Sequence, residues 1–116
     1  MAEFSHEVTM KDFLKIDIRL GQIISAKKFK EARKPAYILQ IDFGEKIGLK
    51  KSSAQVTTNY ECEDLIGKKV AAVVNFPPRQ IGPIQSEVLV LGFSDSEGGI
   101  VLFSPDSEVP NGSKLH

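Results

Sequence analysis

Apolar residues recur along the chain in short stretches that turn-forming residues separate. Over 36–43 they alternate with other residues, which places one face of a strand in a core, formed by Tyr37, Leu39, Ile41 and Phe43. The continuous apolar runs over 70–74 and 88–93 are typical of buried strands. Further strands are expected within 16–29, 47–56 and 100–103. The alternation in the first of these changes phase around Gly21, which predicts a bulge or a sharp bend there.

Two short helices are expected. Thr9 and Asp12 have the three-residue spacing of a capping box, so a helix of about two turns is predicted to begin at Thr9. Such a short helix is not stable alone, and it either closes the end of a barrel or packs on a second subunit. A helical turn is predicted over 61–66, where acidic residues suit a helix N-terminus and Gly67 ends the turn.

These elements predict an all-β domain. Five to seven short strands, with a helical turn between the third and the fourth, are typical of a five-stranded OB-fold barrel. We expect short helices and N- and C-terminal extensions around that barrel; a small SH3-like barrel is the alternative. A single domain over 1–116 is predicted, with an arm and short helix in 1–15 and an extension in 104–116.

The segment 75–87 lies between two of the predicted strands. Its three prolines and one glycine predict a stiff loop that continues neither strand. Rigid apolar side chains beside a few polar ones are what a binding loop needs. We predict a peptide-binding site formed by Phe76, Pro77, Pro78, Ile81 and Ile84. The alternative is that a homodimer interface buries this apolar patch.

The net charge changes the interpretation of any nucleic-acid binding. Lysine plus arginine and aspartate plus glutamate both number 15, so no global field attracts polyanions. Binding would come from local basic clusters, namely Lys27, Lys28, Lys30, Arg33 and Lys34, and Lys46, Lys50 and Lys51. Each of these lysines is also compatible with a solvated surface. Exposed aromatic candidates are sparse, which favours a folded RNA recognised by its shape and phosphates over a stacked single strand.

The side chains predicted to contact RNA combine cations with hydrogen-bonding groups. Arg79 can make paired contacts to phosphate, and serine, glutamine and asparagine side chains can supply hydrogen bonds. The predicted RNA-binding residues are Lys50, Lys51, Ser52, Ser53, Gln55, Asn75, Arg79 and Ser86.

Motifs of catalysis and metal binding are missing from the sequence. His6 and His116 lie near opposite ends, no G-x-S-x-G or phosphate-binding glycine loop occurs, and one cysteine with two distant histidines does not build a zinc site. We therefore expect no enzyme, no metal and no cofactor. The single Cys62 excludes an internal disulfide, and 1–7 lacks the features of a signal peptide. No apolar run approaches the ~20 residues of a membrane span, so we expect a cytoplasmic protein without membrane insertion.

The sequence resembles the tRNA-binding-domain family of OB-folds and, within it, the CsaA type of export-related chaperone. The resemblance covers nearly the whole chain from the first strand onward. It rests on Asp17-Ile18-Arg19 with Gly21 and Ile23, Ile41-Asp42-Phe43-Gly44, Ser52-Ser53-Ala54-Gln55, Leu65-Ile66-Gly67-Lys68-Lys69-Val70, Val74-Asn75-Phe76-Pro77-Pro78-Arg79, Ser86-Glu87-Val88-Leu89 and Val109-Pro110-Asn111-Gly112.

This resemblance implies an OB barrel that forms a homodimer through its terminal extensions, without cofactor or catalysis. The RNA face of the family corresponds here to Asn75, Arg79 and Ser86, with the lysines near Lys50 as electrostatic support. The CsaA type implies unexported preproteins and SecA as partners. Relatives that bind tRNA tend to have Ser-Glu-Gly-Met where this chain has Ser86-Glu87-Val88-Leu89. We therefore expect a non-enzymatic chaperone that binds unfolded or preprotein segments in export; the alternative is a structure-specific tRNA-binding protein.

Overall fold

The computed structural model describes residues 6–116, so the first five residues of the predicted arm lie outside the described part. One antiparallel sheet has the strand order β3-β2-β1-β4-β7, and β5–β6 and β8–β9 form two hairpins. The strands are β1 (Ile18–Lys28), β2 (Tyr37–Asp42), β3 (Leu49–Ala54), β4 (Lys69–Val73), β5 (Arg79–Ile81), β6 (Ile84–Ser86), β7 (Leu89–Val90), β8 (Gly92–Ser94) and β9 (Ile100–Leu102). The helices are α1 (Met10–Leu14), α2 (Gly44–Ile47) and α3 (Cys62–Leu65).

The five-stranded sheet curls into a nearly closed barrel. β1 is the shared strand, since its first half pairs with β4 and its second half with β2. β3, at one end of the sheet order, approaches β6 and β7 at the other end, which brings the two edges together. α3 lies between β3 and β4, as predicted. The prediction of an all-β, five-stranded OB-type barrel with short helices is confirmed.

The barrel interior is filled as the alternation of β2 predicts. Tyr37, Leu39, Ile41 and Phe43 are all buried, and they pack with residues of β1 and β4. Leu65 of α3 is fully buried against this core. α3 begins with a capping box in which the Glu61 N–H donates to Asp64 Oδ2 over 3.0 Å, and Gly67 follows it with a φ of +88°.

The predicted bulge lies three residues later than expected. The register between β1 and β2 shifts between Ile23 and Ser25, whereas Gly21 keeps regular pairing with β4. Gly21 is instead a site of close approach, because a Cβ atom there would lie 2.5 Å from Ile41 Cγ2. The change of phase in the apolar alternation has another cause. Leu20 lies on the opposite face of β1 from Gly21, and it is also buried because the C-terminal segment covers that face.

The C-terminal segment is attached to β1 by backbone and side-chain hydrogen bonds. The Gly112 N–H donates to the Leu20 carbonyl over 2.7 Å, and the Leu20 N–H donates to the Ser113 carbonyl over 2.9 Å. Arg19 joins this attachment, since its Nε donates to Asp17 Oδ1 over 2.7 Å and its Nη1 to the Gly112 carbonyl over 3.1 Å. The Asp-Ile-Arg and Pro-Asn-Gly segments of the sequence therefore hold one another in place.

Replacement of Arg19 by lysine tests this attachment. A single ammonium group cannot reach both the Asp17 carboxylate and the Gly112 carbonyl in the geometry of the guanidinium fork. We expect the free energy of unfolding to fall by about 1–2 kcal/mol, measured by urea denaturation. The matched control is Arg79→Lys, because Arg79 is exposed, and its effect is expected to stay within about 0.5 kcal/mol. Equal effects of the two changes would contradict the structural role of Arg19.

α1 begins at the predicted capping box, in which the Asp12 N–H donates to Thr9 Oγ1 over 3.1 Å. The helix does not close the end of the barrel. Its apolar residues Met10 and Leu14, and Val8 before it, are 71%, 60% and 74% exposed. The prediction that this helix closes the barrel is therefore wrong, and its packing on a second subunit stays a prediction.

The apolar run over 88–93 was predicted to form one strand. It forms two, β7 and β8. β7 and β8 are separated at Leu91, whose N–H donates to the Ala71 carbonyl and whose carbonyl accepts from the Phe103 N–H. Gly92 then starts the β8–β9 hairpin, where it lies so close to Ile100 that an added Cβ would be 2.6 Å from that side chain. Within residues 6–116, no helix is long and apolar enough to cross a membrane.

Candidate functional site

The segment between β4 and β7 contains a hairpin rather than an irregular loop. Ile81 of β5 pairs with Ile84 of β6, and Gly82-Pro83 forms a two-residue turn with a φ of +53° at the glycine. The prolines do not prevent pairing, because Pro77 and Pro78 precede β5 and Pro83 lies in the turn. The prediction of a loop is therefore wrong over 79–86, although neither β4 nor β7 continues into this segment, as expected. A two-residue Gly-containing turn between two isoleucines was the available sequence indication.

This hairpin forms one wall of a groove of about 650 Å³. The end of β3, the segment around β7 and two residues of β9, Ile100 and Leu102, form the remaining walls. Most of the lining is apolar and includes Val56, Phe76, Ile81, Leu89, Val90 and Leu102. The polar lining residues are Ser53, Gln55, Arg79, Ser86 and Glu87. The groove is thus an apolar trough beside a small number of hydrogen-bonding groups.

The groove brings together parts of both predicted binding sets. From the predicted peptide site, Phe76, Pro77 and Ile81 line it, whereas Pro78 and Ile84 do not. From the predicted RNA site, the lining residues are Ser53, Gln55, Arg79 and Ser86. Lys50 and Asn75 lie instead in a second hollow of about 690 Å³, beside Arg19 and Lys46. Lys51 and Ser52 line neither.

The prediction for Ser52 requires a correction. Its side chain is fully buried, and its hydroxyl donates to the Val88 carbonyl over 3.1 Å. A side chain enclosed in this way does not contact RNA. It joins β3 to the residue that precedes β7, so its role is to hold the two edges of the barrel together.

Asn75 also has structural partners, although it is exposed. Its Oδ1 accepts from the Asp17 N–H over 2.9 Å, and its Nδ2 donates to the Lys15 carbonyl over 2.8 Å. The amide therefore fixes the chain between α1 and β1 against the end of β4. One hydrogen of the amide remains for a ligand.

Ser86 and Glu87 set the position of the hairpin relative to β3. The Ser53 N–H donates to Ser86 Oγ over 3.0 Å, and the Lys51 N–H donates to Glu87 Oε1 over 2.9 Å. The Glu87 N–H in turn donates to the Lys51 carbonyl over 2.7 Å. The Ser86 and Glu87 side chains thus accept from backbone N–H groups of β3 that a neighbouring strand would otherwise bind. We call Ser52, Ser86 and Glu87 together the barrel seam. The seam holds one groove wall against another.

The titratable groups with shifted pKa values lie outside the groove. Burial raises the pKa of Tyr37, whose hydroxyl donates to the Tyr60 carbonyl over 2.7 Å. Burial also raises the pKa of Cys62, at the start of α3. Both groups are therefore protonated at neutral pH. Within residues 6–116, no cluster of three histidine, cysteine, aspartate or glutamate side chains could hold a metal ion.

The match to a known family extends over most of the chain. A family model described as "Putative tRNA binding domain" matches residues 18–114. The chain belongs to this tRNA-binding-domain family. The matched range begins with β1 and includes the C-terminal segment that Arg19 holds. The family description is that of a binding domain and not of a catalytic one.

Two solved structures place the chain more closely within the tRNA-binding-domain family. The chaperone CsaA from Bacillus anthracis str. Ames is 50% identical, with a TM-score of 0.89 over 95% of this chain and 99% of that one. The CsaA chaperone protein from Picrophilus torridus is 53% identical, with a TM-score of 0.90 over 95% of this chain and 100% of that one. These comparisons confirm the resemblance to the CsaA type.

Methionine–tRNA ligases also contain a segment similar to this tRNA-binding-domain protein. The ligase of Porphyromonas gingivalis is 31% identical over 114 residues, and that of Methanococcoides burtonii is 35% identical over 109 residues. These alignments cover 98% and 94% of this chain. The chain spans only 16% of the length of either ligase.

Proposed function

We propose that this protein is a non-enzymatic, CsaA-like chaperone that holds unfolded polypeptide segments in the groove between the β5–β6 hairpin, β3 and β7. The observation that carries the proposal is the apolar lining of that groove, in a chain half identical to two CsaA chaperones. A groove of about 650 Å³ has the size of known ligand sites. Apolar walls bind apolar side chains of many sequences, as a holding chaperone requires.

The departure from the Ser-Glu-Gly-Met pattern supports the same proposal. Val88 replaces the glycine, and its side chain is buried in the barrel. Leu89 replaces the methionine, lines the groove and is 49% exposed. At this position the chain thus offers an apolar contact surface. The Ser53 and Gln55 side chains beside it can hydrogen-bond to the main chain of a bound segment.

The resemblance to the CsaA type supports further proposals about partners and location. We propose that the clients are preprotein segments before export in the cytoplasm, and that SecA is a partner. We also propose a homodimer, to which the exposed apolar residues Val8, Met10 and Leu14 contribute.

The test is a titration of the purified full chain with a labelled, unfolded preprotein segment, followed by fluorescence anisotropy. We expect saturable binding that changes little between about 50 and 200 mM salt, since apolar contacts dominate in the groove. Folded tRNA is then added as a competitor at both salt concentrations. The absence of peptide binding would overturn the proposal. If tRNA binding persists at physiological salt in that case, the result favours RNA binding instead.

Structure-specific tRNA binding is the second candidate function. It is supported by the family description and by the exposed Arg79 at the groove, beside Ser86. Arg79→Ala is expected to weaken tRNA binding about 5- to 10-fold at low salt and to reduce the log–log salt slope by about 0.9, because one phosphate contact is lost. The neighbouring exposed Gln80→Ala is the control. If affinity and slope are the same in both variants, Arg79 makes no phosphate contact.

A further inference from the structure

The two end strands of the barrel sheet, β3 and β7, face each other where the barrel is incompletely closed. Since every neighbouring pair in the order β3-β2-β1-β4-β7 is antiparallel, β3 and β7 run in the same direction. They meet at the barrel seam, where the Ser52 hydroxyl donates to the Val88 carbonyl. Beyond this point 53–56 and 88–92 line opposite sides of the groove, and within residues 6–116 no backbone hydrogen bond joins these two segments. The groove thus lies where direct contact between the two edges stops.

The edge of β7 presents backbone groups to this groove. Val90 is opposite Ala72 of β4, and the next residue, Leu91, donates its N–H to the Ala71 carbonyl over 3.0 Å. The backbone groups of successive strand residues point to alternate sides, so those of Val90 point away from β4. They point to the same side as the Val88 carbonyl, which accepts a hydrogen bond at the barrel seam. Val90 therefore offers one donor and one acceptor along the groove.

The edge of β3 is occupied at the barrel seam but not beyond it. The N–H groups of Lys51 and Ser53 donate to side chains of the seam, so both residues direct their backbone groups away from β2. Gln55 follows β3 and lines the groove, and its N–H and C=O form no hydrogen bond within residues 6–116. A strand edge with unpaired backbone groups is a template for pairing with another extended segment.

We propose that a client segment enters the groove as an added β-strand, held by main-chain hydrogen bonds between the edges of β3 and β7. This inference rests on the proposed chaperone function and specifies what the groove recognises, namely an extended segment whose own backbone N–H and C=O groups are free. The wall formed by 53–56 has room for about three to four client residues, at about 3.3 Å per residue. Successive side chains of such a strand alternate between the apolar lining and the solvent.

Main-chain recognition accounts for the binding of many different sequences by one groove. Backbone groups are the same in every residue except proline, so hydrogen bonds to Val90 and to the end of β3 do not depend on the client's side chains. The apolar lining, which includes Val56, Leu89 and Leu102, requires an apolar client residue only at every second position. A folded protein has paired or covered strand edges. The groove therefore selects unfolded segments over folded proteins.

The test compares client peptides that differ by a single methyl group. A labelled, unfolded peptide with alternating apolar and polar residues in its core is titrated against the full chain. In the variants, one core amide nitrogen at a time is methylated, which removes one N–H donor and keeps every side chain. We expect methylation of a core amide that faces either edge to weaken binding at least about 10-fold, because an acceptor in the groove is left unpaired. The matched control places the methyl on a side chain, as isoleucine for a core valine, and is expected to stay within about 4-fold of the parent.

Hydrogen exchange of the protein's own amides gives an independent readout. The Val90 N–H is expected to exchange at least about 10-fold more slowly when the parent peptide is bound, because it gains an acceptor. The Leu91 N–H is the internal control. It already donates to the Ala71 carbonyl, so its exchange rate is expected to be the same with and without the peptide.

The outcomes separate this inference from the proposed function on which it rests. Weaker binding of the core-methylated peptides, together with protection of the Val90 N–H, supports the added strand. If all methylated peptides bind as the parent does, or if peptide binding leaves the exchange rate of the Val90 N–H unchanged, the added strand is contradicted and the client is held through its side chains alone. If the parent peptide does not bind at all, the proposed chaperone function itself is overturned.

Discussion

Gly21→Ala is expected to lower the free energy of unfolding by about 3 kcal/mol. The added Cβ would lie 2.5 Å from Ile41 Cγ2 and 2.7 and 2.8 Å from two atoms of the Phe43 ring. Both neighbours are fully buried in the barrel, so neither has space to move away. Extra volume in a packed core typically costs about 1–3 kcal/mol, and three close contacts place this site at the upper end. Urea denaturation of both proteins measures the difference.

Gly67→Ala is the control that separates overpacking from backbone strain. Gly67 has a φ of +88°, but nothing lies within 4 Å of an added Cβ. The expected cost is therefore that of a left-handed residue alone, about 1–2 kcal/mol. Gly21 does not have a positive φ, so its cost comes from packing. If Gly21→Ala lowers the free energy of unfolding less than Gly67→Ala does, the close packing of β1 against Ile41 and Phe43 is contradicted.

The features of the fold that the sequence predicts well are local. The alternation over 36–43 depends on the two-residue period of a strand, and it identifies the buried face of β2 correctly. The capping box at Thr9 and Asp12 needs residues only three positions apart, and it is present. A short-range pattern of this kind depends on few competing interactions, so reading it does not require the tertiary structure.

The features that escape prediction depend on residues far apart in the chain. The bulge at 23–25 and the exposure of α1 depend on which segments cover each face of the barrel. The seam contact between Lys51 and Glu87 joins residues separated by 36 positions. A serine in a strand gives no local indication of whether it faces solvent or a seam, and for this reason Ser52 was assigned to the wrong environment.

Only part of the candidate site was predicted, because some of its residues come from segments far apart in the chain. The composition of 75–87 indicated a binding segment, and Phe76, Pro77, Ile81 and Arg79 do line one groove. The opposite wall, formed by residues such as Val56 and Leu102, belongs to distant segments that the segment's own sequence does not specify. Serine and glutamate at 86 and 87 look like ligand contacts, whereas their bonds to β3 also hold the walls together.

Phe76→Ala combined with Ile81→Asp is expected to weaken binding of an unfolded client segment about 100-fold. Phe76 is 47% exposed and offers a large aromatic surface, whose removal reduces the apolar area that a client can bury. The aspartate places a charge on the wall where a client's apolar side chains would lie, and a charge buried without a partner is costly. Peptide anisotropy and suppression of aggregation measure the effect.

The control for this pair is Phe93→Ala combined with Gln80→Asp. Phe93 is more exposed than Phe76 but lies outside the groove, and Gln80 is the exposed neighbour of Ile81 on β5. The control therefore removes an equal aromatic ring and adds an equal charge to the same hairpin. Unchanged client binding in the control, with the large loss in the groove pair, assigns the client to the groove. Equal losses would show that the hairpin's charge or fold, rather than contact within the groove, governs binding, and undiminished binding by the groove pair would place the client site elsewhere.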